Sequence, residues 1–412
     1  MTAPDPAREC LVMAKPAGPR CNLACEYCYY LGKADQLPAP AGPHMADDLL
    51  ELYIRQRLEA SPGPVTLFEW HGGEPTLLGL EFFRRAVELQ RRYRPPGRVV
   101  RNGLQTNGTL LDDAWGRFLA AEGFQVGLSL DGPGPVHDAY RRSRDGRPSS
   151  GVAERGFRLL RRHGVHVDVL CVISAANVAD PLATYGHFRE LGVTHLQFLP
   201  LVQRRGDGVS PATPAPEAVG RFLCAVFDQW IRQDLGRVVV QTFDEAFRAA
   251  SGLPHALCVF RETCGDVVVL EQDGSVYACD HFVDAEHRLG ALGQRTLAEL
   301  AADPRLARFG QAKREALPAR CRACDVLAFC NGGCPKDRFL AEPSPEPGVN
   351  YLCAAYRQFF RHSRPALTRL AAQLKAGRPL SSFASTARAA RPGANDPCPC
   401  GSGRKFKRCC GP

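Results

Sequence analysis

No stretch of 18 apolar residues occurs anywhere in the 412-residue sequence, and the N-terminal MTAPDPAREC lacks the apolar core of an export signal. Neither a membrane-spanning helix nor a secretory leader is expected, which places the protein in the cytoplasm. A strong charge of one sign is missing too, since 52 lysines and arginines against 43 aspartates and glutamates leave only +9. Much of that excess falls in arginine-rich helices and in the tail from Arg388, so no nucleic-acid and no membrane partner is expected. Nor is the chain poor in apolar residues: at 45% hydrophobic and 23% charged it is not a disordered sequence, and its length suits two or three domains. What it holds in quantity is cysteine, 18 in all. In a reducing compartment these point to metal rather than to disulfides.

From Cys10 to about Val240, short β-rich runs alternate with amphipathic segments. CLVMAK, VTLFEW, RVVRNGLQT, FQVGLSL, VHVDVLCVI and THLQFLPLV read as strands; residues 79–93, 111–123 and 180–192 read as helices. The alternation predicts parallel β/α units closed or partly closed into a barrel, whose chemistry would lie in the loops after the strands. Those loops are the informative ones. CNLACEYCYY follows the first strand, HGGEPT the second, QTNGT the third and SLDGP the fourth.

CNLACEYCYY places Cys21, Cys25 and Cys28 in a C-x3-C-x2-C spacing. Three thiolates can hold three irons of a cubane and leave the fourth open; alternatively they form a zinc knuckle completed by a distant histidine. In its context the motif resembles the radical S-adenosylmethionine (SAM) enzymes. The resemblance implies a partial parallel (β/α)6 barrel, a 4Fe–4S cluster on these cysteines and SAM at the open iron. It also implies SAM contacts at Tyr27, Gly73 of the GGEP loop, Ser129 at the end of the fourth strand, Arg141 and Val202.

Eight further cysteines follow: Cys258, Cys264, Cys279, Cys321, Cys324, Cys330, Cys334 and Cys353, the first three flanking a hairpin with an Asp-Gly turn at 273–274. Eight suits two four-cysteine clusters, or two zinc sites. The pattern is similar to the SPASM extension of radical SAM enzymes. That resemblance implies a first auxiliary 4Fe–4S cluster on Cys258, Cys264, Cys279 and Cys334 and a second on Cys321, Cys324, Cys330 and Cys353.

The runs WHGGEPTLLGLEFF, LQTNGTLLDDAW, VGLSLDGP, YACDHFV, CNGGCPKDRF and EPGVNYLC resemble the anaerobic sulfatase-maturating enzymes over nearly all of residues 10–370. That family oxidises a Cys or Ser in a sulfatase C/S-x-P-x-R motif to Cα-formylglycine. The resemblance implies Asp280 as catalytic base, an unfolded or nascent sulfatase as substrate and a low-potential donor such as flavodoxin or ferredoxin. A monomer is expected. Two alternatives stay open from the residues: a SPASM maturase crosslinking a ribosomal peptide, and a non-catalytic Fe–S or zinc scaffold.

The C-terminus stands apart. Cys398, Cys400, Cys409 and Cys410 form a C-x-C-x8-C-C pattern that resembles the SEC-C zinc motif, implying one bound zinc. The expected organisation is thus a barrel over 1–240, a SPASM domain over 241–375, a linker over 376–396 and the zinc motif over 397–412. Cys10, Cys171 and Cys224 remain, the last two as small core residues within apolar runs. His44, His71, His137 and His281 are expected near the mouth, with only His71 and His281 inside motifs.

Overall fold

Strands form where the β-rich runs lie. The computed structural model describes residues 10–33, 42, 44–340, 348–379, 393–396 and 404–408. Its strands are β1 (Leu11–Lys15), β2 (Val65–Trp70), β3 (Val99–Thr106), β4 (Gln125–Ser129), β5 (His166–Ile173), β6 (His195–Pro200), β7 (Arg204–Arg205), β8 (Gly208–Val209), β9 (Val239–Val240), β10 (Val267–Glu271), β11 (Ser275–Tyr277) and β12 (Arg288–Ala291). The four tail cysteines and most of the linker lie outside the described residues. The chain divides into two compact units, one of residues 1–130, 137–168 and 264–312, the other of residues 131–136, 169–263 and 313–412.

In the first unit the strand order is β12-β11-β10-β1-β2-β3-β4. β10, β1, β2, β3 and β4 are parallel, while β11 and β12 return antiparallel. One face of β2, formed by Thr66, Phe68 and Trp70, is fully buried. Trp70 stacks on Phe68 with centroids 6.1 Å apart and meets Tyr53 edge-on at 5.9 Å. Each such buried aromatic contributes roughly 1.5–3 kcal/mol. The helix Gly79–Tyr93 supplies Phe83, Ala86, Val87 and Gln90 to the same layer, at the three- and four-residue steps of one helical face. Glu81 lies in the first turn and Arg91 and Arg92 in the last, each suiting the helix dipole. The expected helix over 111–123 runs only from Asp113 to Ala121, because the Asp112 carboxylate accepts from Trp115 N at 3.0 Å and fixes its start.

The opposite sheet face carries the chemistry. Register puts Glu271 beside Lys15 and, at alternate positions, Glu69, Gly103, Gln105, Gly127 and Ser129 on one side. Lys15, Thr106, Ser129 and Glu271 are last residues of their parallel strands, so the loops after those strands leave from one edge.

In the second unit β5, β6 and β9 run parallel in that order, and β7 and β8 form a small ladder. The helix Pro216–Gln233 packs on the helix Cys353–Lys375, with Gln241–Ala250 against both. Phe227, Trp230, Phe243 and Phe359 meet there at ring distances of 5.3–6.0 Å. Cys171 and Cys224 are buried, as expected of core residues.

Candidate active site

The loop bearing Cys21, Cys25 and Cys28 is tied down along its length by the segment after residue 139. Ala24 N donates to Arg142 O at 2.8 Å, Glu26 N to Tyr140 O at 3.0 Å, and Arg144 Nε to Cys21 O at 2.7 Å. Asn107 Nδ2 reaches Cys21 Sγ at 3.8 Å and Asn22 Oδ1 at 2.9 Å. Burial, with the charges of Glu74, Cys25 and Cys28 adding, pushes the Cys21 thiol up to about 11 despite a bond from Leu23 N. Half-buried thiolates that repel one another call for a cationic centre among them, which fits the donor set to an iron–sulfur cluster.

Glu74 of the GGEP loop is fully buried and accepts from Thr76 N (3.1 Å), Thr76 Oγ1 (2.6 Å), Thr106 Oγ1 (2.7 Å) and Asn107 N (2.8 Å). It joins the loops after β2 and β3. Gly73 has a reason of its own for being bare. A Cβ there would stand 2.0 Å from Arg20 O, because Gly73 N and Glu74 N donate to Gly18 O and Arg20 O, both at 2.8 Å. The glycine thus lets one loop lie against the backbone leading into the cysteine loop. Tyr27 and Arg141 come together, the guanidinium 5.4 Å from the ring centroid and both residues buried. Ser129 Oγ accepts from Gln105 Nε2 at 3.2 Å. Val202 lies in the second unit, two residues past the end of β6.

Asp280 sits in a cluster whose other members sequence reasoning missed. Its carboxylate pairs with Lys15 Nζ through one oxygen and accepts from Tyr29 OH through the other. Burial would raise its pKa, but the Lys15 charge, His281 and these bonds outweigh burial and hold it well below the usual range. Lys15 is 1% exposed, lies 3.5 Å over the Tyr30 ring, and is 4.0 Å from Glu271. Glu271 accepts from Tyr30 OH at 2.5 Å, and burial lifts it to about 7 against the pull of Lys15. Tyr29 and Tyr30 follow Cys28 directly, so the cysteine loop reaches both carboxylates. The available signal was a lysine closing an apolar strand, matched by a glutamate closing another. Of the histidines, His71 is half-buried, and desolvation lowers it to about 4 and keeps it neutral. His137 bonds Ser149 Oγ at 3.0 Å, and His281 packs edge-on to Tyr29 at 5.0 Å.

The auxiliary cysteines divide between the units. Cys264 and Cys279 belong to the first. In the second, burial raises Cys334 to about 12, with a contribution from the Cys258 charge. Burial likewise raises Cys330 to about 12, with the charges of Cys353, Cys321 and Cys324 adding. The turn between Cys330 and Cys334 has three successive left-handed residues, Asn331 (φ 45°), Gly332 (φ 74°) and Gly333 (φ 63°). Arg338 braces it, donating to Asn331 O and Gly332 O at 3.0 Å and to Lys313 O at 2.6 Å. Asn350 links Cys334 O (3.0 Å) to Leu352 N (2.8 Å), at the start of the helix carrying Cys353. A cavity of about 140 Å³ beside Cys321, Cys324 and Cys353 is rimmed by Arg320, Arg357 and Arg361, with Asp325 paired to Arg361 at 2.7 Å.

Comparison with known proteins gives the family. Residues 16–186 match the Radical SAM superfamily, residues 258–325 an iron-sulfur cluster-binding domain and residues 395–412 the SEC-C motif. The serine-type anaerobic sulfatase-maturating enzyme of Bacteroides thetaiotaomicron is 40% identical over 375 residues, covering 87% of this chain and 90% of that one. The cysteine-type enzyme of Clostridium perfringens is 33% identical over 370 residues, covering 88% and 99%. The solved structure of native anSMEcpe with bound AdoMet and Cp18Cys peptide superposes with a TM-score of 0.80 at 32% identity, over 88% of this chain and 99% of that one. Among the described residues no helix is long and apolar enough to cross a membrane. A mixed α/β architecture with parallel strands, an iron-sulfur extension and identities of this size over most of both chains lead to one assignment: this chain belongs to the anaerobic sulfatase-maturating enzymes of the Radical SAM superfamily.

Proposed function

We propose that the chain oxidises a cysteine or serine side chain of a sulfatase, presented as an unfolded or nascent C/S-x-P-x-R segment, to Cα-formylglycine. Cys21, Cys25 and Cys28 would hold a 4Fe–4S cluster with its open iron left to SAM. Cys258, Cys264, Cys279 and Cys334 would hold a first auxiliary cluster, and Cys321, Cys324, Cys330 and Cys353 a second. When bound, these groups supply one-electron chemistry: a radical that removes a hydrogen atom from the substrate Cβ, and an acceptor for the electron lost next.

The protein's own share is the proton. As the C=S or C=O bond forms, the thiol or hydroxyl proton must leave, and Asp280 is the group proposed to take it. The observation that carries this reading is the placement of the Asp280 carboxylate, paired with Lys15 and hydrogen-bonded by Tyr29, the residue that follows Cys28 of the cysteine loop. The substrate loses a hydrogen atom, a proton and an electron. A cysteine product then exchanges sulfur for oxygen with water and releases hydrogen sulfide.

Tyr27, Gly73, Ser129, Arg141 and Val202 are proposed to line the SAM site. The packing of Arg141 on Tyr27 supports a guanidinium grip on the SAM carboxylate. The arginine rim beside the outer cysteine set favours an acidic electron carrier, flavodoxin or ferredoxin in kind. Cys398, Cys400, Cys409 and Cys410 would hold one zinc, and the protein would act as a cytoplasmic monomer.

Anaerobically reconstituted protein, given SAM, a strong reductant and matching Ser and Cys peptides, is expected to yield the aldehyde together with 5′-deoxyadenosine. Deoxyadenosine without any aldehyde from either peptide would overturn the proposed substrate.

A further inference from the structure

Lys15 is a costly residue to bury. A lysine ammonium withdrawn from water must find compensating charge, and at the end of a β-strand it could equally have turned outward. Instead Lys15 is 1% exposed, with Nζ 3.5 Å from the centre of the Tyr30 ring, paired to Asp280 and 4.0 Å from Glu271. The arrangement is braced from three directions. Glu271 is the register partner of Lys15 on β10, so backbone pairing fixes their separation. Tyr30 OH holds the far oxygen of Glu271 at 2.5 Å. Tyr29 OH holds the Asp280 oxygen that Lys15 does not, so the carboxylate is gripped at both oxygens and cannot rotate without breaking a charged contact.

We propose that Lys15 is a positioning residue for the oxidation, fixing the plane of the Asp280 carboxylate toward the substrate, with Glu271 and Tyr30 fixing Lys15 in turn. A purely structural lysine would need only one carboxylate. Two carboxylates and an aromatic face around one ammonium define a direction as well as a charge, and that direction is what proton transfer at hydrogen-bond distance requires. The inference rests on the reading of Asp280 as the proton acceptor.

The test uses the reconstituted full-length enzyme and measures bound iron, 5′-deoxyadenosine and oxidised peptide in the same samples of Lys15→Met, Lys15→Arg and Asp280→Asn. Lys15→Met is expected to keep its iron and its SAM cleavage while oxidised peptide per deoxyadenosine falls roughly 10- to 100-fold, with the peptide KM little changed. Lys15→Arg, which keeps the charge, should recover most of that ratio. An unchanged ratio in Lys15→Met, or no recovery in Lys15→Arg, overturns the proposal. Should Lys15→Met fail to hold iron, Glu271→Gln decides when assayed about one to two pH units above the Glu271 pKa of about 7, where it keeps an acceptor for Tyr30 but withdraws one charge from Lys15. A severalfold fall in the ratio at full iron supports the proposal, and an unchanged ratio overturns it. Asp280→Asn separates the two levels. If it oxidises peptide normally, the reading of Asp280 fails; if it uncouples while Lys15→Met does not, only the role of Lys15 fails.

Discussion

At the scale of residues, the buried charges of the first unit have opposite consequences. Lys15 and Asp280 form the closest charge pair of the cluster, so removing Lys15 leaves Asp280 without its cation, and removing Asp280 leaves Lys15 with Glu271 alone. Lys15→Met and Asp280→Asn are each expected to destabilise the protein by about 3 kcal/mol. The double variant should lose less than the sum, with a coupling of about 1–3 kcal/mol measurable in a denaturant double-mutant cycle. Additive losses would mean the pair contributes nothing as a pair. Glu69 is the contrasting case. Its carboxylate fills the space left by Gly103, where a Cβ would lie 2.2 Å from Oε2, and burial followed by the Asp168 charge raises it to about 7. The folded state therefore binds a proton that the unfolded state releases near pH 4.5, so the stability it contributes is full below that pH and is lost as pH rises toward 7. Glu69→Gln should be more stable than the parent at pH 8 by roughly 1–3 kcal/mol and little different at pH 4, as urea titrations at the two values would show. Neither Lys15 nor Glu69 stood out in the sequence. A single lysine or glutamate at a strand end reads as a solvated side chain, and only the register between distant strands reveals that these face inward.

Elements were far more legible. The six β-rich runs form strands within one or two residues of expectation, because alternating burial and β-branched side chains are local properties. The hairpin with its turn at Gly274 was legible for the same reason, and Gly274 has φ 87°. Its placement was not, since nothing local in VVVLE says that it will pair in parallel with β1. The loops show a further limit. GGEP signals a close approach, but the partner proves to be the chain's own backbone at Arg20. Gly73→Ala must part the two loops, moving Arg20 and with it the entry to Cys21. The expected result is loss of about four of twelve irons and of deoxyadenosine formation, with the auxiliary irons kept. Full iron and normal SAM cleavage in this variant would show that the loops separate without consequence.

For the molecule as a whole, eleven cysteines in three sets predict about twelve irons by the four-per-cluster count. Cys25→Ala should retain about eight and form no deoxyadenosine, by iron assay and chromatography of the same preparation. Deoxyadenosine from that variant would remove Cys25 from the SAM-cleaving site. The tail behaves separately in this scheme, because its match to the SEC-C motif begins at residue 395, beyond the last of those eleven cysteines. Truncation after residue 380 is expected to remove one zinc and to leave peptide oxidation unchanged. Loss of oxidation at constant iron would give the tail a part in the reaction.

The parallel pairing of β1 with β10 also dictates an order of events during synthesis. β1 is made well before β10, so its outer edge has no partner until residues 267–271 have been made. Until then a nascent chain carries an open strand edge, a template for wrong pairing and a target for chaperones. Tyr30 likewise has no Glu271 to bond, and Tyr29 no Asp280. The cysteine loop therefore acquires its anchors only after a further 241 to 251 residues have been translated, so iron loading there should follow the synthesis of that segment rather than accompany it.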